Sequence, residues 1–291
     1  MEIDLHTHTA YSYDADNCSL AQHVQQAVQK GMDVLGFSEH VDFFYKEALR
    51  KSDFLPQTVD FETYAAEVAP FRKGRMLGAD LMAQQEEIHA CMQRWGDRIT
   101  LRRSVEMGNP QAAPDLADQL LETHDFDYTI GAVHHLENDM DLYFYRYDTV
   151  DQSNFLHSYF DEMERMIRYG KFHILAHIDY PLRVMKLPYN KPSFKGYMDR
   201  VDDILKEIII RGIALECNTK GLLGWQQTVG PERFVLDRYQ ELGGEYITVG
   251  SDSHAPQTIG LGTQQALDRI RDAGFRYVTD YENGKAIQHK L

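Results

Sequence analysis

Predicted strands and predicted helices alternate along most of the sequence, and this alternation constrains the fold more than any other feature. The predicted strands cover residues 2–8, 33–40, 99–107, 128–135, 174–179, 213–219 and 246–252, with a short strand-like segment near Tyr277. The predicted helices cover residues 19–30, 60–95 with a break around 70–78, 113–123, 151–169, 194–211, 231–242 and 263–273. Repeated strand–helix units are typical of α/β proteins with a parallel sheet, so we predict an α/β fold.

Seven strand–helix units favour one barrel over two separate domains. A chain of 291 residues is long enough for either, since a large α/β barrel commonly takes about 250 residues. No linker rich in glycine and serine and no low-complexity segment divides the sequence. An open doubly wound sheet is the alternative, but no glycine-rich phosphate loop follows the first strand. We therefore expect a single barrel-like domain over residues 1–291.

The charge balance and the cysteines limit the expected partners and compartment. The formal net charge is −15 and the pI is about 5.3, which argues against a nucleic-acid or membrane surface held by bulk electrostatics. Cys18, Cys91 and Cys217 form no CxxC pair, so we interpret them as reduced thiols. The chain opens in a strand with Glu2 and Asp4, unlike a signal peptide, and no apolar run approaches the ~20 residues of a membrane span. We expect a cytoplasmic protein.

Residue types that commonly bind metals stand at the carboxyl ends of the predicted strands. In chain order they are His6, His8, His40, Glu106, His134, His177, Asp252 and His254. The carboxyl ends of the strands in a parallel barrel share one face, so these side chains are expected to converge. Residues two apart on a strand face the same way, which places His6 beside His8. Burying so many polar groups without a compensating ion would be costly, so the set predicts a metal centre.

The chemistry of this set indicates which ions it would bind. Imidazole and carboxylate ligands without cysteine favour zinc, manganese or iron. Their number exceeds what one tetrahedral ion takes, so we expect two to three divalent ions and a bridging carboxylate. Clustered ions suit phosphate-ester hydrolysis, in which a metal-bridging hydroxide attacks phosphorus and Asp252 or His254 gives a proton to the leaving group. The sequence offers no convincing serine or cysteine nucleophile for a covalent alternative.

Six motifs, in their order along nearly the whole chain, resemble those of the PHP (polymerase and histidinol phosphatase) superfamily. They are His6-Thr-His8, Ser38-Glu39-His40, Val105-Glu106, Gly131-Ala-Val-His134, Ala176-His177-Ile-Asp179 and Gly250-Ser-Asp252-Ser-His254. The resemblance implies a distorted TIM-like (β/α)7 barrel with a trinuclear metal centre. Within the superfamily, the length and the Glu216-Cys-Asn218-Thr219 stretch resemble the monofunctional histidinol-phosphate phosphatases of histidine biosynthesis.

The resemblance also implies three ligand sets, two of which share Glu106 as a bridge. The sets are His6, His8, Glu106 and Asp252 for one ion, His40, His254 and Asp14 for the second, and Glu106, His134 and His177 for the third. Some family members have a histidine in the loop that here contains Asp14 and Asp16, and we prefer Asp14. His135 competes with His134 for the third set, and we rank it second.

Phosphate recognition also calls for a cation outside the metals. Arg183 follows the fifth predicted strand, and a guanidinium matches a phosphate with two prongs. Its alternative role is that of a solvated loop arginine. Lys186 and Lys191, in the same loop, are weaker candidates.

The sequence supports three hypotheses for the function. The first is a phosphomonoesterase that hydrolyses L-histidinol phosphate, with the substrate amine and imidazole meeting Glu216, Asn218 or the long connection 42–57. Glu216 has an alternative role as a buried barrel carboxylate. The second hypothesis is a phosphoesterase acting on nucleotides or oligonucleotide ends. The third is a non-catalytic metal-binding module, which the nearly full ligand set disfavours.

Overall fold

The computed structural model describes residues 1–187 and 191–291, which form an α/β fold around a mostly parallel sheet. The strands are β1 (Ile3–Asp4), β2 (Val34–Phe43), β3 (Arg72–Lys73), β4 (Met76–Gly78), β5 (Thr100–Gly108), β6 (Ile130–Ala132), β7 (Ile174–Leu175), β8 (Ala214–Asn218), β9 (Ile247–Gly250), β10 (Tyr277–Glu282) and β11 (Lys285–Lys290). The helices are α1 (Leu20–Gln29), α2 (Phe61–Glu67), α3 (Leu81–Trp95), α4 (Pro114–Thr123), α5 (Gln152–Tyr169), α6 (Tyr180–Val184), α7 (Met198–Arg211), α8 (Arg233–Glu241) and α9 (Thr263–Asp272). The predicted α/β fold is confirmed.

The parallel strands close into a barrel through the first strand. Within the described residues, the order is β1-β2-β5-β6-β7-β8-β9, and every neighbouring pair is parallel. At the remaining seam, Leu5 N donates a hydrogen bond of 2.9 Å to Val249 O. A parallel bridge between Thr7 and Ser253 continues that seam beyond the two strands. These bonds join the first strand to the last parallel one, as the (β/α)7 prediction requires.

Local sequence signals explain where the helices around the barrel begin and end. Ser19 caps α1, because its side chain accepts a hydrogen bond from Gln22 N while the Gln22 side chain accepts one from Ser19 N. Gly31 follows the helix with a φ of +72°, which glycine adopts at little cost. α5 packs against α7, α7 against α8, and α9 against β8 and β9. None of the helices in the described ranges has the length and apolar character needed to span a bilayer.

Several barrel strands are shorter than predicted. β1 spans only Ile3–Asp4 of the predicted 2–8, and β6 and β7 end early because their carboxyl ends leave the hydrogen-bond ladder. β6 stops at Ala132 and β7 at Leu175, whereas the strand pattern continues to residues 135 and 179. His177 N donates to Glu216 Oε2 at 2.8 Å rather than to a neighbouring strand. Pro181 then lies in the first turn of the short helix α6, which the pattern did not predict. These irregular segments carry candidate metal ligands.

Two antiparallel hairpins add to the predicted pattern. β3 and β4 pair with each other, and β4 also pairs with the end of β2 at Val41–Phe43. The sequence pattern had predicted only a break between helices around residues 70–78. β10 and β11 form the second hairpin, whose turn contains Asn283 and Gly284 with φ values of 49° and 75°. An Asn-Gly pair between short strands favours a tight hairpin turn. The sequence had indicated only a strand-like segment near Tyr277.

Candidate metal centre

Glu106, at the end of β5, lies among the histidines that follow the other strands. The carboxylate is fully buried, and its two oxygens face different imidazoles. From Oε2, the distances are 3.2 Å to His6 Nε2, 3.5 Å to His8 Nε2 and 3.0 Å to His40 Nδ1; from Oε1, they are 3.1 Å to His134 Nε2 and 2.8 Å to His177 Nε2. The carboxylate therefore stands between two groups of histidines, as a bridging ligand would.

Asp252 and His254, which follow β9, approach the same cluster from its other side. Asp252 Oδ1 lies 3.6 Å from His8 Nε2 and 3.6 Å from His254 Nδ1. Asp252 also has a φ of +52°, in the left-handed region that non-glycine residues seldom adopt. Ligand atoms of several trios lie within 4.8 Å of one another, among them His6, His8 and Asp252, and His8, His40 and His254.

The loop after the first strand brings Asp14 to the cluster. Asp14 Oδ2 lies 3.1 Å from His254 Nε2 and 3.6 Å from His40 Nε2. Asp16 forms no ion pair within the described residues, and it meets the site only through its backbone N–H, which donates to His254 O at 2.9 Å. The geometry therefore favours Asp14 over Asp16 as the ligand from this loop.

The adjacent residues His134 and His135 have different surroundings. His134 Nδ1 lies 2.7 Å from Asp42 Oδ1, and its other nitrogen faces the cluster. His135 places Nε2 2.8 Å from Phe43 O and Nδ1 3.0 Å from Leu136 O, so both of its ring nitrogens face backbone acceptors. Of this pair, only His134 turns a ring nitrogen toward the cluster.

Several buried atoms of the cluster have no hydrogen-bond partner within the described residues. They include His6 Nε2, His8 Nε2, His40 Nδ1 and Glu106 Oε2. Buried polar atoms in folded proteins are nearly always satisfied, and desolvating them without a partner is costly. Divalent cations bound among these side chains would supply the missing partners. The residues present thus fit a metal centre.

The electrostatics of the cluster couple its imidazoles to its carboxylates. Burial alone would lower the pKa of His134, but the carboxylates of Glu106 and Asp42 raise it to about 10. The neighbouring imidazoles hold the pKa of Glu106 well below its usual value, even though burial opposes ionisation. Burial, together with His40 and His254, holds the pKa of His8 well below its usual value. A metal would replace protons as the partner of the carboxylates, so its binding is linked to proton release.

A cavity of about 880 Å³ opens beside the cluster, and several side chains of the cluster line it. Arg183 lines it, donating from one guanidinium nitrogen to Asp252 Oδ2 at 3.0 Å and to Asn218 Oδ1 at 3.0 Å. The guanidinium also lies 5.1 Å from the centre of the Tyr180 ring. Of the weaker candidates, Lys186 lines the cavity, whereas Lys191 Nζ donates to a backbone oxygen at 3.1 Å. Arg183 thus presents a cation at the boundary between cavity and cluster.

Glu216 and Asn218 lie behind the cluster, outside the lining of the cavity. Glu216 Oε1 is 2.6 Å from His6 Nδ1, and Asn218 Nδ2 donates to Glu216 Oε2 at 3.0 Å. A carboxylate on the far nitrogen of a metal-binding imidazole fixes its tautomer and orientation. Glu216 is therefore a buried barrel carboxylate, which is the alternative role that the sequence had left open, and it contacts the His6 imidazole from outside the cavity.

Asp42 and Lys220 contact the site, and the sequence analysis did not single out either residue. Asp42 hydrogen-bonds to His134, and Lys220 Nζ lies 2.8 Å from His254 Nδ1. Asp42 comes two residues after His40, just as Lys220 comes two residues after Asn218. Because residues two apart in a strand share a face, the spacing of Asp42 from His40 within β2 was a usable signal. Lys220 begins a 3-10 turn after β8, so the same argument does not extend to it.

The fold and the site define a class of protein: an α/β barrel whose strand ends present buried imidazoles and carboxylates beside a polar cavity. A model of the PHP domain matches residues 4–220. The chain belongs to the PHP family, which confirms the resemblance drawn from its motifs.

Two proteins that are named as histidinol-phosphatases align with this chain over almost their full length. The histidinol-phosphatase of Lactococcus lactis subsp. lactis is 25% identical, with 99% of this chain and 97% of that protein aligned. A Clostridium acetobutylicum protein named "Probable histidinol-phosphatase" is 26% identical, with 96% of each chain aligned. The crystal structure of histidinol phosphate phosphatase from Lactococcus lactis subsp. lactis, complexed with zinc, L-histidinol and phosphate, has a TM-score of 0.77 at 21% identity and covers 98% of both chains. That structural likeness shows a shared fold.

Proposed function

We propose that this protein is a metal-dependent phosphomonoesterase of histidine biosynthesis that hydrolyses L-histidinol phosphate to L-histidinol and phosphate. The observation that carries the proposal is the position of Glu106, whose two oxygens face separate groups of buried histidines beside the cavity. The near full-length similarity to proteins named histidinol-phosphatase supports the choice of substrate. The proposed catalytic unit is one domain over residues 1–291.

The centre is proposed to hold two to three divalent ions: zinc, manganese or iron. The proposed ligands are His6, His8, Asp14, His40, Glu106, His134, His177, Asp252 and His254. When bound, the ions would lower the pKa of water and offset negative charge on the phosphoryl group. Glu216 would hold His6 in place from behind, and Asp42 would do the same for His134.

Protein groups at the cavity would bind the phosphate and complete the proton transfer. Arg183 and Lys220 both lie near Asp252, with Arg183 at 3.0 Å and Lys220 at 3.8 Å from its carboxylate. Two cations at the phosphate end would bind phosphoryl oxygens, the guanidinium with its two-pronged geometry. Asp252 or His254 would give the leaving oxygen its proton, since both lie at the boundary between cluster and cavity.

The proposal is tested by steady-state hydrolysis of L-histidinol phosphate, nucleoside monophosphates and short oligonucleotides with Mn²⁺ or Zn²⁺ present. We expect the highest kcat/KM for L-histidinol phosphate. Equal or higher kcat/KM for nucleotides would overturn the substrate assignment in favour of the nucleotide phosphoesterase hypothesis. No hydrolysis of any of these esters by metal-loaded protein would favour the non-catalytic module. Elemental analysis of the active protein should find at least two metal equivalents per chain.

A further inference from the structure

Asp141 lines the cavity, and within the described ranges no lysine or arginine forms an ion pair with it. Its Oδ1 accepts a hydrogen bond of 2.7 Å from Tyr143 N, which caps the turn Leu142–Phe144. Burial raises the pKa of this carboxyl to about 6, against a weaker lowering by His134. Burying an ionised carboxylate without a cation is costly. Asp141 is partly buried, so it offers a cation in the cavity a carboxylate with which no lysine or arginine of the described residues is paired.

Three tyrosine side chains lie near this carboxylate. Tyr145, Tyr147 and Tyr180 line the same cavity, and the charge of Asp141 helps to raise the pKa of each of them. The Tyr180 hydroxyl lies 3.5 Å from Asp141 Oδ1. The faces of aromatic rings attract cations, and a carboxylate at the edge of such a group adds a charged hydrogen-bond acceptor. Together these side chains suit a cationic nitrogen.

Tyr180 also sets the distance between this carboxylate and the metal centre. Its ring centroid lies 5.8 Å from that of His134 and 5.3 Å from that of His177, while its hydroxyl reaches Asp141. Asp141 is thus about one tyrosine side chain away from the candidate metal ligands. A phosphate ester that carries an ammonium group a few bonds from its phosphate would span this distance.

We propose that Asp141, together with Tyr145, Tyr147 and Tyr180, binds the ammonium group of an amino-alcohol phosphate. The site thereby selects cationic phosphate monoesters over neutral ones of the same shape. This inference rests on the proposed phosphatase function and adds to it the feature of the substrate that is recognised. The competing interpretation is that Asp141 only caps its turn.

Binding of two alcohols tests the inference without requiring turnover. Calorimetry on the metal-loaded protein at pH 8 compares L-histidinol with 3-(imidazol-4-yl)propanol, which lacks only the amine. We expect L-histidinol to bind at least about tenfold more tightly, because its ammonium group would form a charge-assisted hydrogen bond that the other alcohol cannot form. In Asp141→Asn, which keeps an acceptor for Tyr143 N, that preference should fall to less than about threefold. An unchanged preference, or none in the wild-type protein, would overturn the proposal.

Kinetics on the corresponding phosphates separates this inference from the proposed function. Asp141→Asn should lower kcat/KM for L-histidinol phosphate about tenfold more than for 3-(imidazol-4-yl)propyl phosphate, mainly through KM. Asp148 also lines the cavity, and its side chain is exposed. Asp148→Asn should keep the wild-type ratio of kcat/KM between the two esters. Equal losses on both esters in Asp141→Asn would indicate a purely structural role. If the wild-type protein favours nucleotides instead, the substrate assignment fails while the alcohol-binding result still decides the role of Asp141.

Discussion

Glu106 is the residue on which the proposed centre depends, because each of its oxygens faces a different group of imidazoles. Removing its charge would take a ligand from two ions at once and leave buried histidines without a counter-charge. Neighbouring residues cannot replace it, since the histidines around it are themselves neutral or cationic. Its substitution therefore tests the multinuclear arrangement more directly than that of any one histidine.

We predict that Glu106→Gln, which keeps the shape of the side chain but not its charge, lowers kcat by more than about 100-fold. This loss would exceed the loss that is typical when a residue hydrogen-bonded to a metal ligand is replaced. Elemental analysis should show that the variant retains less metal than the wild-type protein. Glu122→Gln, on the exposed face of α4, is the matched control and should change neither quantity. Wild-type turnover together with full metal content in Glu106→Gln would remove the bridging role.

Glu216→Gln separates the two roles considered for this carboxylate. Because Glu216 lies 2.6 Å from His6 Nδ1 and outside the cavity, we expect metal affinity to fall by about 10- to 100-fold. At saturating metal, KM for the substrate should stay close to the wild-type value. Competition with a chromogenic chelator measures the first quantity, and steady-state kinetics measures the second. A raised KM with unchanged metal affinity would instead assign Glu216 to substrate binding.

Single residues also show where sequence reasoning stops. Strand-end position identified the histidines of the site, but it could not separate His134 from His135 or Asp14 from Asp16. Those choices depend on which way each side chain points after its strand ends. That direction is set by partners distant in sequence, such as Phe43 O, which lies within hydrogen-bond distance of His135 Nε2.

At the scale of elements, Gly108 shows how a strand end makes room for the site. A Cβ at this last residue of β5 would overlap Asp42 Oδ1 and lie 2.7 Å from His134 Nδ1. Asp42 and His134 come from the ends of the two strands that flank β5. The missing side chain therefore lets the carboxylate of one neighbouring strand reach the imidazole of the other.

We predict that Gly108→Ala lowers the free energy of unfolding by about 1–3 kcal/mol, as overpacking usually does, and weakens metal binding because His134 loses its support. Urea denaturation measures the first effect and chelator competition the second. Gly196→Ala is the control, since a Cβ there meets nothing within 4 Å. Unchanged metal affinity in Gly108→Ala would show that the pair of Asp42 and His134 is dispensable.

The elements themselves were largely predictable. Helices with clear caps, such as α1, begin and end within a residue of their predicted bounds. β6 and β7 were predicted too long because the residues beyond them are apolar enough to resemble strand while their backbone groups bond elsewhere. The β10–β11 hairpin was missed in spite of its Asn-Gly turn, because the short strands around it carry mostly polar side chains.

At the scale of the whole molecule, one end of the barrel carries the candidate metal centre and the other end is covered by a hairpin. The carboxyl ends of the strands carry the candidate centre, while the β10–β11 hairpin lies at their amino ends, where Thr279 Oγ1 accepts a hydrogen bond of 3.2 Å from Ile247 N. Arg102 links β5 to this hairpin through a bond of 2.8 Å to Asp280. Both side chains are almost completely buried. The hairpin thus closes the end of the barrel opposite the site.

We predict that Arg102→Ala lowers the free energy of unfolding by about 3–5 kcal/mol, because Asp280 would remain buried without its partner. Metal content per folded chain should stay at the wild-type value, since the pair lies far from the candidate ligands. Arg211→Ala breaks the exposed pair with Glu207 and should cost about 0–1 kcal/mol. Urea denaturation of the three proteins decides the matter, and equal stability of both variants would contradict the prediction.

Sequence by itself determined the alternation of strands and helices, the family, and the residue types at the strand ends, because hydrophobic periodicity and motif spacing are local properties of the chain. Tertiary structure decided which of those residues meet: closure of the barrel between β1 and β9, the position of Glu106 between two groups of histidines, and the supporting contacts of Glu216 and Asp42. These are contacts between residues tens to hundreds of positions apart. They depend on strand register and on where each strand ends, and no local pattern encodes either.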